Sequence, residues 1–109
     1  MSLLNIDIEA ANGRARIALS GELDISSARR VEDELTSLQA QSPEMLVLDL
    51  RELEFMDSTG LRLIVRADEA ARAGGTRFLI VRGPEPVQRV FQIVGLDTRL
   101  DMADAPPAP

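Results

Sequence analysis

The segment Met45-Leu46-Val47-Leu48-Asp49-Leu50 constrains the fold more than any other, because every residue but Asp49 is apolar. Consecutive side chains of a strand point to opposite faces, so such a run needs burial on both sides. That places it at the centre of a sheet covered by helices, the layout of an α/β domain. Leu4 to Ala11 reads differently: Leu4, Ile6 and Ile8 alternate with Asn5, Asp7 and Glu9, as in a half-buried strand. Asn12-Gly13 favours the positive φ values of a type I′ turn, and Ala15, Ile17 and Leu19 alternate with Arg14, Arg16 and Ser20 on the return. The chain therefore opens with an antiparallel hairpin, whose alternation ends at Gly21-Glu22-Leu23-Asp24-Ile25.

Helical spacing follows. Ser26 or Ser27 can N-cap a helix with Ala28, Val31, Leu35 and Leu38 on one face, ending between Gln39 and Ser42 before Pro43. After the central strand, Arg51 to Asp57 reads as a connection, and Ser58 to Ala73 as a helix with Gly60, Ile64, Ala67 and Ala71 inward and Arg62, Arg66, Glu69 and Arg72 outward. Gly74-Gly75 supplies its positive-φ stop. Phe78 to Val81 is a short buried strand, and Val87, Val90, Phe91 and Val94 mark a third helix ended by Gly95. Thr98 to Leu100 suits an edge strand. The order β-β-α-β-α-β-α-β predicts a small α/β sandwich: a mixed, mostly parallel sheet with an N-terminal antiparallel hairpin and three to four helices. If all helices pack on one side, the other face is bare or thinly covered. The expected division is one domain over residues 1–102 and a disordered Pro/Ala-rich tail over 103–109.

Composition removes most chemistries. The 109 residues include no Cys or His, and all 12 basic residues are Arg. Thiolate and imidazole catalysis, sulfur-ligated metals, Schiff bases and a Walker-type phosphate lysine are thereby excluded, so no catalytic or metal site is expected. A net charge of −6 has the wrong sign for wrapping nucleic-acid phosphates. No apolar run approaches bilayer length and the first residues lack a basic, apolar leader pattern, so the expectation is a cytoplasmic protein that meets neither nucleic acid nor membrane directly.

The remaining chemistry concentrates at two junctions. Phe55-Met56-Asp57-Ser58-Thr59-Gly60-Leu61 carries the central strand into a helix through a hydroxyl-rich turn. Its simplest reading is capping by Asp57 or Ser58, with Gly60 allowing close packing. The functional reading makes Ser58 a phosphoacceptor, since a helix N-terminus offers free N–H groups and the positive end of the macrodipole. Gly21-Glu22-Leu23-Asp24-Ile25-Ser26-Ser27 forms the neighbouring junction, where Ser26 can cap and Asp24 favours the dipole; alternatively Glu22 and Asp24 form an acidic docking rim beside Ser58. A phosphate there meets like charge from Asp24 and Asp57. The same carboxylates offer Mg²⁺ two or three ligands without any substrate handle. Phe55 is expected to pack inward and Met56 to face either way, while Arg62 lies nearest Ser58 on a solvated face.

Gly21-Glu22-Leu23-Asp24 before a helix, then Leu48-Asp49-Leu50 leading to Phe55-Met56-Asp57-Ser58-Thr59-Gly60-Leu61, resembles the STAS family over nearly the whole chain, and most closely its single-domain bacterial anti-sigma factor antagonists. The resemblance implies a regulatory binding protein, not an enzyme, without a cofactor. Its partner would be an anti-sigma factor that is also a serine kinase of the histidine-kinase-like ATPase fold; binding frees a sigma factor. Phosphorylation of Ser58, with Thr59 as the alternative acceptor, would end binding, and a PP2C-type phosphatase would restore it. The implied partner surface comprises Glu22, Asp24, Ser26, Met56, Asp57, Thr59, Gly60 and Arg62. Other members suggest different roles: a subunit of a lipid-transport or other membrane-associated ATPase complex, or a stressosome-like scaffold. A metal-dependent enzyme using Asp24 and Asp57 would require turnover that is lost on Asp57→Asn.

Overall fold

The computed structural model describes residues 3–107. Its elements are β1 (Leu4–Ala11), β2 (Arg14–Leu23), α1 (Ala28–Gln39), β3 (Met45–Met56), α2 (Ser58–Ala73), β4 (Arg77–Val81), α3 (Glu85–Ile93) and β5 (Met102–Ala103). They form a mixed five-stranded sheet in the order β1-β2-β3-β4-β5, with β1 antiparallel to β2 and the remaining pairs parallel. The hairpin extends the sheet instead of covering a face. Its tip has Asn12 at φ 55° and Gly13 at φ 77°, as a type I′ turn requires.

Two strands outrun their expected limits. β2 continues through Gly21-Glu22-Leu23 and β3 through Arg51 to Met56, because irregular register between Ala18/Ser20 and Gly21/Glu22 lets the two stay paired to Leu23↔Met56. An inserted residue bends the strand and shifts the alternation of its side chains. Gly21 sits at such a point with φ +99°, where a Cβ would fall 1.8 Å from the Leu3 carbonyl oxygen. That oxygen accepts the Glu22 N–H at 3.2 Å, so the backbones approach too closely for any side chain.

All three helices contribute to one core against one face of the sheet: Val31 and Leu35 from α1, Leu63 and Ile64 from α2, Val87 and Phe91 from α3 meet Ile17, Leu48 and Ile80. Several edge positions depart from the sequence expectation. Ile8 is exposed because the hairpin tip extends beyond the helices' cover, and Val94 lies past the end of α3 with its side chain in solvent. The edge strand is Met102–Ala103, since Leu96 to Leu100 closes turns on itself through the Arg99 and Leu100 N–H bonds to the Leu96 carbonyl. Of the expected tail, Ala103 thus pairs with Val81, while Ala108 and Pro109 lie outside the described residues.

The opposite face carries a smaller cluster of Met45, Val47, Leu79 and Val81 with Ala103 against it. Beside it Asp49, 3% exposed, is held by Arg16 at 2.7 Å and Arg51 at 2.8 Å, so the one polar residue of the central run is neutralised where no helix covers it. Burial pushes the Asp49 carboxyl up, but the Arg51 and Arg16 hydrogen bonds outweigh it and bring the pKa to about 2. A depressed pKa stabilises the folded state above the ordinary value of 3.8 and loses that effect as pH falls towards 2. Asp49→Asn should therefore flatten the fall in melting temperature between about pH 4 and pH 2, removing about 2 kcal/mol of pH-dependent stability in calorimetry. An unchanged acid limb would refute the assignment.

Candidate functional site

Parallel pairing of β2 and β3 brings both strand-to-helix junctions to the same end of the sheet. Leu23 lies opposite Met56, and the Asp57 N–H reaches the Leu23 carbonyl at 3.4 Å, so the chain segments bearing Asp24 and Asp57 leave the sheet side by side. The expected juxtaposition of Glu22, Asp24, Asp57 and Ser58 is therefore present. Of the capping alternatives, Asp57 is the one realised: its Oδ1 accepts the Thr59 N–H at 2.9 Å and the Gly60 N–H at 3.3 Å. Those amides are consequently occupied, not free for an anion as the sequence suggested. Ser58 is the first residue of α2 and is exposed, whereas Thr59 is half-buried. Arg62 is exposed one turn further along the same helix.

Gly60 is buried against Leu23 and Met56, where a Cβ would approach both side chains to 2.8 Å. The glycine thus lets α2 rest directly on the ends of β2 and β3. Two residues expected at a partner surface, Met56 and Gly60, instead form the floor beneath it; Met56 is only 3% exposed. Phe55, expected inside, is 47% exposed. The cause is the extension of β3: Leu53 and Met56 both turn to the core across the irregular pairing, leaving Phe55 directed away from it.

At the first junction neither serine caps α1 by its side chain. Ser27 is fully buried and fixes the turn: its Oγ donates to the Glu22 carbonyl at 2.9 Å and accepts the Asp24 N–H at 3.1 Å. Ser26 is exposed and donates both its N–H (2.9 Å) and its hydroxyl (2.6 Å) to Asp24 Oδ1. The Ser26 hydroxyl, more than any other contact, holds the Asp24 carboxyl below the ordinary range, so Asp24 presents a fixed negative charge. Ser27, which the sequence offered only as a cap, and the exposed Ile25, which it gave no role, both lie at this junction; two adjacent hydroxyls carry no signal for which one turns inward.

Among the described residues no group of three or more Asp or Glu side chains is disposed to hold a metal ion. A cleft of about 650 Å³ lies between α1 and α2 and is lined by Leu35, Gln39, Leu63 and Ala67 among others; none of Glu22, Asp24, Asp57 or Ser58 borders it. The carboxylates and hydroxyls thus sit on an outward surface, suited to a macromolecule. No helix among the described residues is long and apolar enough to cross a membrane.

A family model described as the STAS domain matches residues 5–105. The chain belongs to the STAS domain family. The anti-sigma-F factor antagonist RsfB of Mycobacterium tuberculosis is 28% identical to this STAS chain over 94 residues, covering 86% of this chain and 76% of the relative. The anti-sigma-B factor antagonist of Bacillus subtilis is 26% identical over 100 residues, covering 92% and 91%. The crystal structure of an anti-sigma factor antagonist from Mycobacterium paratuberculosis superposes with a TM-score of 0.85 at 26% identity, over 94% of this chain and 86% of that one. The mixed sheet, N-terminal hairpin and three helices are therefore those of a STAS domain.

In this STAS domain the cap and the exposed hydroxyl are separable. Asp57→Ala should cost about 1 kcal/mol of stability by freeing the Thr59 and Gly60 amides. Ser58→Ala should stay within about 0.5 kcal/mol of the parent in urea denaturation. A larger loss for Ser58→Ala than for Asp57→Ala would reverse the assignment of the cap.

Proposed function

We propose that this STAS domain is an anti-sigma factor antagonist: its Ser58 end binds an anti-sigma factor with serine kinase activity and so releases a sigma factor, and phosphorylation of Ser58 ends that binding. In support, the curated relatives are named as anti-sigma factor antagonists and align over most of both chains. The observation that carries the switch is the Asp57 cap. Because Asp57 already accepts the Thr59 and Gly60 amides, a phosphate added to Ser58 would have to displace that carboxylate to reach them; left in place, Asp57 directs it outward, into the space a partner would fill.

In the transfer the Ser58 hydroxyl oxygen bonds to the terminal phosphorus of a nucleoside triphosphate held by the kinase. Nucleoside diphosphate leaves and the hydroxyl proton passes to a base of the kinase. A PP2C-type phosphatase would hydrolyse the ester and restore the hydroxyl. The chain contributes no acid, base or metal to either step; it is the substrate, not the catalyst, and acts in the cytoplasm with the transcription machinery. The added charge of roughly −1.5 to −2, next to Asp57 and Asp24, sets like charge against any surface that docked on the hydroxyl form.

Affinity for the source organism's anti-sigma kinases, measured by calorimetry, tests the reading. Ser58→Ala should bind one of them constitutively, and Ser58→Asp should bind roughly tenfold or more weakly. Equal affinity of the two variants would sink the switch. Peptide mapping by mass spectrometry on protein from growing and stressed cells should show phosphate on Ser58 at occupancies that change with condition.

A further inference from the structure

Among the described residues six large apolar side chains are exposed, and two of them, Ile25 at 81% and Phe55 at 47%, lie at the Ser58 end. The β2–β3 register sets Phe55 opposite Glu22, and Ile25 enters the turn just beyond Leu23, whose partner is Met56. The chain has three Phe; Phe78 and Phe91 are buried in the core, while Phe55 is left in solvent. The carboxylates around the pair have no cationic partner among the described residues, a state they share with Asp7, Glu34, Glu44, Glu52, Glu69 and Asp97 elsewhere, but only here do they flank exposed apolar side chains at a strand-to-helix junction. Nine ion pairs among the described residues use carboxylates elsewhere, including Glu9, Glu32, Asp49, Asp68, Asp101 and Asp104. None uses Glu22, Asp24, Glu54 or Asp57, the four that surround Ile25 and Phe55 along the chain and across the register.

We infer that Ile25 and Phe55 are the apolar anchors of the partner surface, and that they seat in a socket on a partner protein flanked by Arg or Lys. This inference rests on the antagonist reading and names the chemistry of its partner. Aromatic and aliphatic anchors ringed by charge are where interfaces concentrate affinity, since burial of the anchor excludes water from the polar rim. Four carboxylates against the exposed Arg62 leave this end net acidic, which repels nucleic acid, anionic lipid and a second copy of itself and favours a basic protein surface as the complement. The two groups divide the work: the anchors slow dissociation, and the carboxylates speed encounter.

Surface plasmon resonance against the cognate anti-sigma kinase, at low and high salt, separates these roles. Phe55→Ala and Ile25→Ala should each raise the dissociation rate about tenfold and leave the association rate, with its salt dependence, within about twofold. The pair Glu22→Gln with Glu54→Gln should lower the association rate at low salt and flatten its salt dependence, with little change in dissociation. All these side chains lie at the surface, so melting temperatures should match the parent and exclude misfolding as the cause. If the parent binds and both alanine variants dissociate at the parental rate, the anchors are refuted while the antagonist reading stands. If the parent binds no anti-sigma kinase, that reading falls and this inference with it. A Phe55-dependent dimer in sedimentation equilibrium, with binding kinetics unaffected, would likewise overturn the inference by giving the patch to a second copy.

Discussion

The pairing of β2 with β3 is the contact on which the rest of the structure depends. Neither strand is close in sequence: the segment between them holds all of α1, so closing this parallel pair costs loop entropy that only a long, well-buried ladder offsets. The ladder runs from Arg14↔Met45 to Leu23↔Met56 and stays closed at its far end by accepting two irregularities. Had the strands parted at Ala18↔Asp49, where regular pairing is first broken, Asp24 and Asp57 would leave the sheet at different heights and no common surface would form. The functional end is thus a consequence of the bulged register and of Gly21, whose backbone has room only for hydrogen.

A one-sided domain then faces a problem of its own. Three helices bury one face and leave the central strand's other side chains, Met45, Val47 and Asp49, to be covered by neighbours within the sheet. The solution is mixed. A small apolar cluster forms towards β4 and β5, and towards β2 the guanidinium groups of Arg16 and Arg51 clamp Asp49. Burying that carboxylate alone would be costly, whereas two charge-assisted partners make it an anchor that also orders the long Arg side chains across the open face.

Much of this was legible in the sequence because it depends on period and punctuation. β1 and the turn into β2 followed from alternation and Asn12-Gly13, and α2 from Ser58 to Ala73 followed from its apolar stripe and terminal glycines. What escaped was everything controlled by an irregularity. The reading of Phe55 inverted, and that of Met56 stayed open, because alternation cannot be carried across an inserted residue. The ends of β2 and β3 were missed for the same reason: Gly21 to Leu23 and Arg51 to Met56 look like loops when each strand is read alone, and become strand only through each other. The buried Ser27 and the solvent-facing Ile25 depend on which way a single turn folds, a choice made by the Glu22 carbonyl and the Asp24 amide and not by residue type. Residue identities nonetheless pointed to two junctions that the fold does bring side by side, those of Glu22 and Asp24 and of Asp57 and Ser58.

Under the proposed switch, the order of residues at the start of α2 would also separate folding from signalling. A hydroxyl that capped its helix would lose the cap on modification, and the domain would soften whenever it was phosphorylated. Here Asp57 holds the amides and Met56 with Leu23 packs against Gly60 below them, so the helix end is secured by groups that a change at Ser58 does not touch. The hydroxyl is then free to change charge at little cost to the fold. On the proposed function the same division accounts for exposed Phe55 and carboxylates without cationic partners: stability is drawn from the core and the clamped face, and the Ser58 end would satisfy its apolar and electrostatic needs on the partner.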